Sequence, residues 1–155
     1  MQKKVDLYKI LLTFGFSVAV LIATFGFFTQ IVTSKEYNYK ILKVVDGDTV
    51  QIEIPGLPTE LEHVSLRILH VDTPEKGAHA KCDLERDKSD KATKFVKDTI
   101  NNGKVIKVEV KKWDKYGGRV LGDLIIDDKR LSTRLLEAGF AVQYEGEKKV
   151  KDWCK

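Results

Sequence analysis

Apolar and polar side chains alternate in three short segments of this chain, and one long stretch of helical period interrupts them. Val50, Ile52 and Ile54 alternate with Gln51 and Glu53; Val64, Leu66 and Ile68 share one face; Ile106, Val108 and Val110 alternate with lysine and glutamate. A period of two makes a strand with one face in a core. Between the second and third segments, Leu84, Ala92, Phe95, Val96 and Ile100 recur at helical spacing, and Gly103 is a stop. The pattern predicts strands at 37–45, 49–54, 63–71, 105–113 and 119–126, a helix at 83–102, and a short helix at 133–138 with Ser132 as N-cap and Gly139 as its end. Asp46-Gly47-Asp48, Pro55-Gly56-Leu57-Pro58 and Tyr116-Gly117-Gly118 are the breaks. Five short strands with a helix after the third imply a mainly β, α+β domain: a small closed antiparallel barrel with packed helices.

At 155 residues there is room for one domain with a real core. Hydrophobic residues at 43% and charged residues at 32% argue against disorder. The net charge of +4 falls to +2 without residues 1–34, which leaves 24 basic against 22 acidic residues. That balance permits a nucleic-acid partner without arguing for one. Lys111, Lys112, Lys115 and Arg119 cluster, as do Lys148, Lys149 and Lys151; the C-terminal cluster reads as a solvated face.

Residues 10–28 form an uncharged run of nineteen, preceded by Lys3, Lys4 and Lys9. At about 1.5 Å per residue, a helix of that length spans most of a bilayer's ~30 Å apolar core. The preceding lysines favour an N-inside orientation, which exports the remainder of the chain. The run exceeds the usual ~7–15 residues of a signal peptide and so favours an uncleaved anchor. Val32 and Ser34 would alternatively suit a cleavage site that releases a chain starting at Lys35. The expected organisation is an N-terminal membrane or signal segment at 1–34 and an exported domain at 35–155.

Cys82 and Cys154 have no partner at C-x-x-C or Cys/His spacing, which argues against zinc. They are two separate thiols or one disulfide, and export favours the disulfide. A bridge closing so long a loop stabilises by about 4 kcal/mol in the chain-entropy account.

The chemistry concentrates in Asp46-Gly47-Asp48-Thr49, Arg67 and Asp72-Thr73-Pro74-Glu75. Hard cations need several oxygen ligands, and carboxylates supply both donors and charge. An arginine fork matches a phosphate and stays charged at any working pH. Arg67 lies between Leu66 and Ile68, so it points away from their face and towards a ligand. Taken singly, Asp48 reads as a turn residue and Glu75 as a solvated glutamate. Taken together they read as parts of a phosphodiester-cleaving site.

The segments VDGDTV (45–50), LRILHVDTPE (66–75) and DKYGGRVL (114–121) resemble the three signature stretches of the thermonuclease, or staphylococcal nuclease-like, family, in the family's order. The likeness runs from about Tyr39 to about Tyr144. It implies an OB-fold, a five-stranded barrel with packed helices. It implies Asp48, Asp72 and the carbonyl of Thr73 as ligands of Ca²⁺, although Mg²⁺ or Mn²⁺ also suit an all-oxygen site. Glu75 would orient or deprotonate the attacking water, and Arg67 and Arg119 would hold the phosphate. Lys115 and Tyr116 would meet a terminal phosphate, and Tyr144 would stack on a base. Many members carry one glycine where this chain has Gly117-Gly118, an extra residue that a bulge before Arg119 would absorb. His63, His70 and His79 have no ligand spacing and read as bystanders.

The resulting expectation is an exported, monomeric, Ca²⁺-dependent endonuclease on DNA and RNA that leaves 3′-phosphate ends and needs no protein partner. The competing expectation is a catalytically inactive, membrane-tethered OB module that grips single strands or a partner.

Overall fold

In a computed structural model, which describes residues 35–146 and 149–155, the alternating segments become a curled sheet. Its elements are β1 (Glu36–Tyr37), β2 (Lys40–Val44), β3 (Thr49–Glu53), β4 (His63–Ile68), β5 (Val71–Asp72), helix α1 (Asp83–Asn102), β6 (Ile106–Trp113), β7 (Arg119–Ile126), β8 (Lys129–Arg130), helix α2 (Leu131–Glu137) and β9 (Val142–Gln143). The segment expected at 10–28, with its cleavage alternative, lies outside the described residues.

The hydrogen-bonded order is β1-β6-β7-β4-β3-β2, with β8 on β7 and a separate β5–β9 pair. All neighbours in the long path are antiparallel except β4 and β7, which run parallel. The expected closed ladder is not found. The two edge strands, β1 and β2, are instead joined covalently through Asn38 and Tyr39. So short a link spans only about 11 Å, which forces the sheet to curl without pairing its edges.

Alternation places Val50, Ile52, Val64, Leu66, Ile68, Val108, Val120 and Leu124 in one buried cluster. α1 covers it with Val96, and α2 with Leu131 and Leu135. Truncating any of the larger members to alanine costs about 2–5 kcal/mol. Gly122 is required on β7: a Cβ there would stand 1.8 Å from the Glu109 carbonyl oxygen.

Three expected elements differ. The strand expected at 37–45 is two strands, because the chain changes partner from β6 to β3 across Asn38-Tyr39. The strand expected at 63–71 stops at Ile68. His70 adopts φ 65, and the chain then pairs with β9. Ser132 is not the N-cap of α2 but lies inside it. Its hydroxyl and N–H donate to Asp123 Oδ2 (2.5 Å) and Oδ1 (3.3 Å), so a carboxylate on β7 caps the helix from outside. α1 keeps its expected bounds, begins at Cys82 as N-cap and ends at Gly103.

Candidate active site

The turn between β2 and β3 is closed locally. The Asp48 N–H donates to Asp46 Oδ1 at 3.1 Å, and Val45 and Asp46 donate to the Thr49 carbonyl. This aims the Asp48 carboxylate inward, where it is only 3% exposed. Oδ1 accepts from Arg67 Nη1 at 2.6 Å and from Thr49 Oγ1 at 3.0 Å, and Oδ2 accepts from Thr73 Oγ1 at 3.0 Å. Burial pushes this carboxyl up to about 6; Arg67 opposes the shift, Asp46 adds to it, and the two hydroxyls oppose it.

Close approach is what brings Thr73 to Asp48. A Cβ on Gly47 would lie 3.0 Å from Ala92 Cβ and from both Thr73 Cβ and Oγ1. The bare glycine therefore lets the turn, the loop after β5 and α1 meet at one point.

Asp72 directly precedes Thr73, is itself buried, and is held by β9 through the Asp72–Val142 register. Its Oδ2 accepts the Trp153 indole N–H at 3.4 Å. Oδ1 takes no well-aligned hydrogen bond, yet the Lys149 ammonium stands 2.6 Å away; the contact is an ion pair. The same ammonium donates to Glu75 Oε1 at 2.5 Å. Burial disfavours charge on Lys149, but Asp72 and Glu75 outweigh it and hold the amine above its usual range. Lys149 is thus not simply part of a solvated face: although still partly exposed, it pairs with two acids where the chain end returns to Asp72.

Arg119 lies on β7 opposite Ser65, and Leu121 opposite Arg67. The two arginines therefore share a face of the parallel β4–β7 pair, two positions apart. In place of the bulge expected at Gly117-Gly118, Gly118 takes up the extra residue at φ 73 within the hairpin turn, and the β6–β7 register shift falls between Val110 and Lys112. Arg119 Nη2 pairs with Asp114 Oδ2 at 2.5 Å, and its guanidinium lies 5.2 Å from the centre of the Tyr116 ring. Lys115 covers the same ring at 5.0 Å. Lys115, Tyr116 and Arg119 thus form one group on the hairpin, while Asp48, Arg67 and Thr73 form another. Tyr144 follows β9, and its N–H donates to the His70 carbonyl beside β5.

Sequence reasoning missed Glu85. This buried carboxylate in the first turn of α1 accepts the Glu75 N–H on Oε1 (3.2 Å) and the Lys81 N–H on Oε2 (2.7 Å). It spans the loop that carries Glu75. The signal was present, since Glu85 is three residues after the Cys82 N-cap, as in a capping box. Cys82 is bonded to Cys154, with Cα atoms 6.0 Å apart.

Among the described residues, no three acidic, histidine or cysteine side chains stand ready as a metal cage. The donor chemistry nonetheless fits a hard divalent cation. Asp48 and Asp72 are both buried carboxylates, the Thr73 hydroxyl donates to Asp48 Oδ2, and Asp72 Oδ1 lacks an aligned donor.

A small α+β domain with buried carboxylates and two arginines where strand ends meet is a candidate phosphate-handling site. Residues 65–153 match the family described as staphylococcal nuclease homologue, and the chain belongs to that family. It is similar to the endonuclease YhcR of Bacillus subtilis (strain 168), at 31% identity over 115 residues, 70% of this chain but 9% of that protein. The chain thus spans about a tenth of that relative's length. It is also similar to the uncharacterized protein MJ1439 of Methanocaldococcus jannaschii, at 31% identity over 147 residues, 81% of this chain and 68% of that protein.

Proposed function

We propose that this domain is an exported nuclease that hydrolyses phosphodiester bonds of DNA and RNA with Ca²⁺ as its cofactor and leaves 3′-phosphate ends. The observation that carries the reading is the buried Asp48, with Arg67 on one oxygen and the hydroxyl of Thr73, the residue after Asp72, on the other. Family membership and the likeness to an endonuclease support it.

Asp48, Asp72 and the Thr73 carbonyl would hold the cation. When bound, it would neutralise phosphate charge and lower the barrier to attack by water. Glu75 takes the proton from the attacking water as its oxygen bonds to phosphorus; the bond from phosphorus to the 5′-oxygen breaks in line, and that oxygen takes a proton from solvent. Arg67 and Arg119 neutralise the charge that grows on the phosphate oxygens, where fixed cations matter most. Lys115 and Tyr116 bind a terminal phosphate, and Tyr144 stacks on a base. Phosphate contacts carry no base preference, so cleavage has little sequence specificity. The domain acts as a monomer beyond the membrane, through the anchor at 10–28 or after its cleavage.

Hydrolysis of denatured DNA should stop on chelation, return with Ca²⁺, and be lost in Glu75→Gln. Full activity in that variant would remove Glu75 from its role, and chelator-resistant activity would remove the metal.

A further inference from the structure

We propose that Lys149 is a positioning cation of the proposed site, bridging Asp72 and Glu75 and competing with a divalent ion for Asp72. The inference rests on the proposed role of Asp72 as a metal ligand.

The geometry places one ammonium between two acids: 2.6 Å from Asp72 Oδ1 and 2.5 Å from Glu75 Oε1. A calcium ion binds carboxylate oxygen at about 2.3–2.6 Å. The ion and the ammonium would therefore approach the same buried oxygen at nearly the same distance. Two cations sharing one buried carboxylate oxygen at such short range repel. Occupation by one displaces the other, and the doubly charged ion with several oxygen ligands prevails.

Lys149 is delivered by a segment anchored around the acids. Trp153 is buried and donates to Asp72, and Cys154 is bonded to Cys82 at the start of α1. Lys88 of α1 donates to the carbonyls of Trp153 (2.9 Å) and Lys155 (2.7 Å). Such a tether keeps the local concentration of the ammonium high beside Asp72, as a linked ligand does for a second site. The disulfide therefore raises the calcium concentration the site requires, and reduction lowers it.

Calcium binding measured by titration calorimetry on the full chain, without nucleic acid, tests this. Lys149→Met should bind Ca²⁺ up to about fivefold more tightly than the wild type, the range expected when one partly exposed ion pair is lost. Lys149→Arg should restore wild-type affinity. Cys154→Ser should fall between the wild type and Lys149→Met. Asp72→Asn and Asp48→Asn should each lose binding, which tests the metal site itself. Loss in those two with unchanged or weaker binding in Lys149→Met overturns the exchange. Wild-type affinity in Cys154→Ser overturns the role of the tether. Unaltered binding in both aspartate variants, or none in the wild type, overturns the metal reading and the exchange with it.

Discussion

The backbone N–H of Glu75 donates to the buried carboxylate of Glu85, ten residues on in the first turn of α1. Because Glu85 also accepts from Lys81, one side chain fixes both ends of the loop that presents Glu75. Glu85→Ala leaves two N–H groups without acceptors, at about 1–3 kcal/mol each if they stay buried. We expect a lower melting temperature and a kcat reduced at least tenfold with calcium affinity nearly unchanged. Unchanged kcat would show that Glu75 is placed by other contacts.

Gly47→Ala tests the close approach at the site. The added Cβ meets Ala92 and Thr73 at 3.0 Å, so the turn must separate from the loop after β5. Overpacking of this kind costs about 1–3 kcal/mol. Urea unfolding should show that loss, and calcium affinity should fall with it. Wild-type values for both would mean that the contact relaxes freely.

Asp48 gives a pH dependence with a defined sign. Its folded carboxyl is raised from 3.8 to about 6, chiefly by burial against the pull of Arg67. The folded state thus binds a proton more readily than the unfolded state. Its contribution to stability is fully present below about 4 and falls as pH rises towards 6. The full swing is about 3 kcal/mol. In chelator, urea unfolding from pH 4 to 7 should show this decline in the wild type relative to Asp48→Asn. Parallel profiles in the two proteins would contradict the buried, uphill ionisation.

Arg67 and Arg119 are both paired, Arg67 with Asp48 and Arg119 with Asp114. Arg67→Ala should lower kcat by about two to three decades, the usual loss for one donor to a developing anion. It should also destabilise the fold by leaving Asp48 without its cation. Arg119→Ala should lose comparable activity with a smaller change in stability, since Asp114 lies nearer solvent on the hairpin. Equal stability losses would show that Asp48 and Asp114 depend on their arginines alike.

The unreduced protein should titrate no free thiol, and reduction should lower stability by up to about 4 kcal/mol for the loop closed by Cys82 and Cys154. Two reactive thiols before reduction would refute the bridge.

Much of the fold was legible in local pattern. The helix at Asp83–Asn102 kept its bounds because its apolar period and its Gly103 stop both act within a few residues. β7 began and ended where expected for the same reason. The strand expected at 63–71 failed at His70 because what ends β4 is a change of partner from β7 to β9, which no neighbouring residue encodes. Ser132 misled because its role is set by Asp123 on another strand.

By itself, the sequence determined the candidate residues and the order of the segments that carry them. Asp48, Arg67, Asp72, Glu75 and Arg119 are expected from the resemblance of their segments to the family's signature stretches, and their chemistry follows from residue type. Only the tertiary structure decided which charge faces which. Lys149 reaches Glu75 across 74 residues, and Trp153 reaches Asp72 across 81. Coulomb attraction acts through space rather than along the chain, so its partners emerge only once a disulfide and a packed core have brought the C-terminal end back over the acids.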